Sequence, residues 1–219
     1  MEPPGRPRPW VKGETAVYHI TYIENLASIV RAGQLDCDNG CVAAAIEPVS
    51  IAYSSLKEQR ARTEVTVASG GTLADYVPFY YAPRSPMLYT IWRGNVIEYA
   101  GSQDDIVHLV CSADELAEPG CFVVTNRHPI NALAEQFMDF EAIDGLDWPL
   151  MNDDYWRDTD EDGDRKYRRQ AEFLVHRRVP VEAIRLVGAM TDEVAARAAK
   201  LLAPMPSPPP ITVRKDWYY

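Results

Sequence analysis

Apolar and polar positions along the chain change period several times, and each change predicts an element. Residues 17–21 are β-branched and aromatic, as in a short strand. Ile23, Leu26, Ile29 and Val30 then recur at helical spacing up to Gly33, a natural C-cap. His19 and Thr21 fall near the end of that strand. Residues 34–50 show no period and read as irregular. Residues 51–62 read as a short helix closed by basic residues, and Gly70-Gly71 as a turn. Residues 88–92, 106–111, 121–125, 173–175 and 184–187 read as strands. Ile130, Leu133, Ala134 and Phe137 have helical spacing, which predicts a helix over 130–138. Thr191 is placed to N-cap a helix reaching about residue 202, and the prolines of 204–210 stop it. Residues 211–219 read as a final strand or docked tail. There is no internal repeat. Short strands with helices mostly early or late predict an α+β domain. The expected division is a flexible arm over 1–14 and a single domain over 15–219.

Charge changes this picture locally. The net charge of −10 argues at first against nucleic acid. Yet residues 141–164 hold ten acids and one base, which leaves −1 for the other 195 residues. Basic residues cluster at Lys57, Arg60 and Arg62, and again from Arg165 through Lys166, Arg168 and Arg169 to Arg177 and Arg178. A local basic face is compatible with the low pI. Within the acidic run, Asp158-x-Asp160-x-Asp162-Gly163 copies half of an EF-hand loop. The position that needs a bidentate acid is Arg169, so calcium binding of that type is excluded. Cys37-x-x-x-Cys41 lacks a second Cys/His pair at zinc spacing, and four cysteines in 219 residues do not make a disulfide scaffold. No metal is expected. No apolar run approaches the roughly 20 residues of a membrane span. Residues 1–10 lack the apolar stretch of a signal peptide. The expectation is a cytoplasmic protein with reduced thiols.

Four separated motifs carry the candidate chemistry: Tyr18-His19-Ile20-Thr21, the Leu56 to Arg62 block, the proline- and tyrosine-rich 77–89, and Ala171-Glu172-Phe173. Together they offer a histidine, an arginine, aromatic faces and a carboxylate, a kit able to break an N-glycosidic bond. From the residues alone each has a plainer reading. His19 could be a satisfied half-buried histidine, Glu172 a surface acid and Arg60 a solvated helix end, with Arg62 as its rival. Tyr80, Tyr81 and Met87 could simply pack. His108 and His176 receive no role.

The blocks YHITYIENL, LKEQRAR, GGTLADYVPFYYAPRSPMLYTI and AEFLVHRRVP resemble the DarT toxins. These are bacterial ADP-ribosyltransferases that modify DNA and are neutralised by DarG antitoxins carrying a macrodomain. The likeness is to the thymidine-modifying branch and runs from about Tyr18 to Tyr219. Gln59 stands where relatives often have a second arginine, and the stretch from Cys37 to Ser50 is hard to align. The resemblance implies the ADP-ribosyltransferase fold, a split β-sheet core with flanking helices and an NAD cleft between its halves. It implies NAD as co-substrate, single-stranded DNA as acceptor and a DarG-type antitoxin as partner. It makes Glu172 catalytic, holding the ribose 2′-hydroxyl and the developing positive charge. Arg60 joins it, at the NAD phosphates or the target base. His19, Ile20, Thr21, Asn25, Arg60 and Tyr80 are then expected to bind NAD. Tyr81, Arg84, Met87, His128, Arg165, Lys166 and Arg168 are expected to bind the DNA substrate. The same fold and donor are also compatible with guanine in DNA, RNA or protein as acceptor. A catalytically inactive nucleotide-binding module is the remaining alternative.

Overall fold

A β-sheet that nearly comes apart in the middle organises the protein. The computed structural model describes residues 15–118 and 120–219, so the arm expected over 1–14 lies outside the described residues. The strands are β1 (Ala16–Tyr22), β2 (Gln34–Asp36), β3 (Tyr76–Tyr80), β4 (Ile106–Ser112) and β5 (Phe122–Thr125), then β6 (Gln136–Phe137), β7 (Glu172–His176), β8 (Arg178–Pro180), β9 (Leu186–Ala189) and β10 (Ile211–Val213). The helices are α1 (Asn25–Ala32), α2 (Asp38–Ala43), α3 (Ser54–Arg62), α4 (Pro86–Trp92), α5 (Ala113–Leu116), α6 (Trp148–Met151), α7 (Arg165–Arg168) and α8 (Asp192–Leu202). Eight strands line up in the order β10-β9-β4-β1-β3-β7-β5-β6, while β2 pairs with β8 separately.

The sheet is tight within each half and loose between them. β1 pairs with β4 along its whole length, from Ala16↔Ser112 to Tyr22↔Ile106. It meets β3 at the single register pair Tyr18↔Tyr80. Pro78 supplies a reason. In a strand, one residue's N–H and C=O point to the same side. The Pro78 carbonyl accepts from His19 Nδ1, so the β1-facing edge of β3 is also the edge where proline has no N–H to give. A side chain replaces a ladder bond there, and the two halves part.

Both faces of the sheet are covered. Val107, Leu109, Cys111 and Val187 face the larger core with α1 and α8. Tyr18, Ile106, Val110 and Leu186 face a second core with Leu88, Ile91, Trp217 and Tyr218. Burial on both faces explains why β4 is buried at every position and shows no apolar–polar alternation, with His108 the one polar residue inside its apolar run. Gly188 must be glycine, because a Cβ there would lie 2.4 Å from the Trp217 ring.

Several predicted elements stand. Gly33 closes α1 at φ 69°, its N–H reaching Ile29 and Val30. The Thr191 hydroxyl accepts from Val194 N–H at the start of α8. Others are corrected. Residues 88–92 are helical, because the Ser85 hydroxyl accepts the Leu88 N–H and Pro86 occupies the first helical position. A cap and a pre-set φ outweigh strand-like side chains. Residues 130–138 form no helix. Reciprocal bonds between Asn126 and Glu135 turn the chain back, so that Gln136 and Phe137 pair with β5, and Leu133 is 70% exposed. Residues 34–50 hold β2 and α2, both too short to show a period. Residues 76–80 form the strand β3, which Pro78 hides from the sequence pattern. The final segment is a short strand followed by the docked Trp217 and Tyr218.

Candidate active site

The helix α3 is polar almost all round, yet Leu56, Lys57 and Arg60 lie three and four residues apart and so share one face. That face meets the gap between the sheet halves. Arg60 is buried, whereas Arg62 points out with its side chain 80% exposed beside Glu58. Helical geometry thus separates the two rival arginines.

Across the gap, Glu172 opens β7 opposite Tyr80. Its backbone is pinned by Thr125, whose hydroxyl accepts from Glu172 N–H at 2.9 Å and approaches the Glu172 carbonyl at 3.3 Å. Arg60 Nη1 donates to both carboxylate oxygens, at 2.9 and 3.2 Å. The pair is withdrawn from water, with side-chain exposures of 9% for Arg60 and 3% for Glu172. One nitrogen serves both oxygens, so Nη2 is left buried without a hydrogen-bond partner among the described residues. A buried cationic donor left unmet is costly. Arg60 itself lines a cleft of about 190 Å³, so a bound anionic or carbonyl oxygen that reached Nη2 would satisfy it.

Two histidines line the same cleft in opposite tautomers. A backbone carbonyl can only accept, so His19 Nδ1 carries the proton given to Pro78, and Nε2 is the acceptor. His128 Nδ1 accepts from Ile130 N–H, so its neutral ring carries the proton on Nε2 and donates. Burial lowers both pKa values and keeps both rings neutral near pH 7. Burial, then the Glu172 charge, pushes the neighbouring Tyr80 phenol up, so it stays protonated. The cleft therefore offers a carboxylate, a cation, one imidazole acceptor and one imidazole donor.

Asn25 and Thr21 line the cleft but are already engaged. Asn25 Nδ2 donates to Thr21 Oγ1 and the Val49 carbonyl, and its Oδ1 accepts Val49 N–H. Their role in the structure is to fasten the cleft wall around Val49 to the end of β1. Ile20, Tyr80 and Met87 also line the cleft. Sequence reasoning missed much of the opposite wall, including Asp36, Cys37, Asp38, Pro48 and Ile51. The one available signal there was Lys57, which pairs with Asp38 at 3.0 Å.

Other expected site residues lie elsewhere. Tyr81 is fully buried behind Glu172, its hydroxyl 3.5 Å from the Glu172 carbonyl and its ring edge-on to Trp148. It supports the strand rather than lining the cleft. Arg84 pairs with Asp154 and sits over the Tyr219 ring. The basic segment after Asp164 is not a free cationic arm. Arg165 pairs with Asp153, and Arg168 with Asp147, Asp162 and Asp164. The acidic run folds back and consumes those charges. Arg169 is buried, its guanidinium held by the carbonyls of Leu150, Met151 and Arg84. Of this segment, Lys166 remains exposed with no ion pair among the described residues. Asp162 is likewise spent on Arg168, and among the described residues no three His, Cys, Asp or Glu side chains converge as metal ligands.

The chain as a whole is similar to known proteins. Residues 18–219 match the DarT family, described as single-stranded DNA thymidine ADP-ribosyltransferases. A DNA ADP-ribosyl transferase from Thermus sp. (strain 2.9) is 41% identical over 208 residues, covering 94% of this chain and 96% of the relative. The solved structure of Thermus sp. 2.9 DarT in complex with ADP-ribosylated single-stranded DNA superposes with a TM-score of 0.85 at 40% identity. It covers 94% of this chain and 96% of that one. The same protein in complex with NAD+ superposes with a TM-score of 0.81 at 38% identity, covering 94% and 98%.

Proposed function

We infer the reaction from a plain premise: this chain belongs to the DarT family. It is an NAD-dependent DNA ADP-ribosyltransferase that moves ADP-ribose from NAD to a thymine base in single-stranded DNA and releases nicotinamide. The observation that carries the assignment of residues is the buried Arg60–Glu172 pair at the cleft, with Arg60 Nη2 still unmet.

The donor set suits the chemistry. The bond between nicotinamide and ribose breaks with its electron pair leaving on nicotinamide, and positive charge builds on the ribose. A buried carboxylate stabilises that charge and can accept from the ribose 2′-hydroxyl, which is the role we give Glu172. His19 Nε2, an acceptor, suits a second ribose hydroxyl. Thymine N3 attacks the same carbon, its proton passing to water. Because N3 is a poor nucleophile while protonated, a nearby cation helps by stabilising the deprotonated base. We give Arg60 that task, or the binding of a phosphate of NAD. His128 Nε2–H suits a carbonyl oxygen of the base. A single strand spares the cost of unstacking the target.

The partner we assign is a DarG-type macrodomain antitoxin, on family membership alone. Growth arrest on expression, relieved by co-expressing such an antitoxin, tests it. We place the enzyme in the cytoplasm with its DNA. Among the described residues no helix is long and apolar enough to cross a membrane.

The decisive experiment incubates the protein with NAD and oligonucleotides that differ only in carrying thymine or guanine, followed by mass spectrometry. One ADP-ribose added to the thymine strand is the expected result. Addition to guanine, to RNA or to protein alone would replace the acceptor, and no NAD turnover would leave an inactive binding module.

A further inference from the structure

The helix α4, which brings Met87 to the cleft, carries an aromatic cluster that the reaction above does not use. Tyr89 and Trp92 lie one turn apart on this helix. The Trp92 ring stacks on Tyr219 with centroids 5.9 Å apart and planes at 30°. Tyr89 meets Trp156 and Tyr219 edge-on at 5.5 and 5.1 Å. The cluster is rigid. Tyr219 exchanges two backbone bonds with the Gln103 amide, and its hydroxyl bonds Trp156 Nε1 and the Arg84 carbonyl.

Three features distinguish this cluster from ordinary packing. Trp92 is the outermost ring and stays 46% exposed. Two guanidinium groups flank it: Arg84 lies 4.4 Å from the Tyr219 ring centre and Arg93 lies 5.6 Å from that of Trp92. Arg84 is paired with Asp154, whereas Arg93 is exposed with no ion pair among the described residues. Finally, the cluster shares its helix with the cleft wall, because Met87 of α4 lines the cleft and Trp92 is turned about 140° from it around the axis. Five residues of helix set Trp92 about 7.5 Å further along the axis.

Flat, exposed rings beside free positive charge suit bases and phosphates of a single strand, since every base has a face to stack and a phosphate to neutralise. We propose that Trp92, backed by Tyr219 and flanked by Arg93, is the stacking platform for bases adjacent to the target thymine. The inference rests on the proposed reaction and extends it by giving the strand its direction away from the cleft.

A double-mutant cycle tests it. The probe is a labelled single strand of about ten nucleotides, within the range one such groove holds. Its variant has abasic sites on either side of the central thymine. Binding is measured by anisotropy for the wild type and for Trp92→Leu, which keeps apolar bulk and removes the flat face. Stacking on Trp92 predicts that either change alone weakens binding about tenfold or more, and that the second adds little to the first. Trp92→Phe should restore most of the affinity. Arg93→Glu should also weaken binding and flatten its salt dependence, and it stands in if Trp92→Leu misfolds. NAD-induced stabilisation should match the wild type in all these variants. Losses that add fully, or wild-type affinity in both Trp92→Leu and Arg93→Glu, overturn the platform. The two proposals fail separately: a wild type that modifies thymine but shows an additive cycle loses only the platform. A wild type that modifies nothing loses the reaction, and the binding cycle then judges the platform alone.

Discussion

Arg60 and Arg168 are both arginines at the ends of short helices, and both face carboxylates. Arg60 is nearly buried, lines the cleft, meets one carboxylate through one nitrogen, and leaves Nη2 unmet. Arg168 is 26% exposed and is surrounded by Asp147, Asp162 and Asp164. The difference teaches how to tell a cation that waits for a ligand from one that holds a loop. Charge in the sequence does not separate them. The number of carboxylates within reach does.

The largest effect that sharpens this contrast is on stability. Arg60→Ala leaves the Glu172 carboxylate buried and unpaired, which should cost about 3–5 kcal/mol in chemical denaturation. Arg168→Ala removes partly exposed pairs and should cost about 1 kcal/mol or less. Equal costs would break the comparison. Next comes catalysis. Glu172→Gln keeps the side-chain shape and should lower transfer about 10²–10³-fold, or ~3–4 kcal/mol, with NAD still raising the melting temperature. Near wild-type turnover in this variant would remove Glu172 from the chemistry.

A pH titration separates the regions in another way. Burial lowers the folded pKa of His19, His128 and His108, the last to about 4. Below the unfolded value near 6.5 the unfolded chain binds more protons, so stability falls as pH drops from there towards 4. His108 alone accounts for on the order of 3 kcal/mol. Asp162, held low by Arg168, and Asp153, held low by Tyr155 N–H and Arg165, have the opposite origin. Their contribution is present above the carboxylate range and is lost only as pH falls through it. Denaturation curves at pH 7.5, 5.5 and 3.5 should therefore show two stages. His108→Gln should shrink the first stage.

Two smaller effects complete the test. Asn25→Ala frees the wall at Val49 and should raise the KM for NAD more than it lowers kcat, with about 1–2 kcal/mol lost in stability. A pure kcat defect would mean that Asn25 touches the reacting groups instead. Replacing Arg165 and Arg168 together should leave the salt dependence of single-strand binding unchanged, since their charges are already spent. Lys166→Ala should change that slope by no more than about 0.7, the value for one phosphate. A larger change would return this segment to the DNA site.

The sequence by itself determined the elements whose signals are local. Gly33 ends α1, Thr191 starts α8, and the apolar runs at 106–111 and 121–125 are strands, because caps and periods depend on neighbours within a few residues. The same local rule explains the failures. A Ser-Pro cap made a helix of 88–92, and the Asn126–Glu135 pair unmade one at 130–138. The names of Glu172, Arg60 and His19 came from motif resemblance, and no spacing in the chain joins them. Only the tertiary structure decided that Arg60 rather than Arg62 meets Glu172, across 112 positions, and that His19 donates to Pro78 across 59. It alone decided that the acidic run neutralises Arg165 and Arg168. The physical reason is that periodicity and capping are short-range in sequence. Burial, tautomer and ion pairing depend on what lies across a gap, and that is set only when the halves of the sheet are assembled.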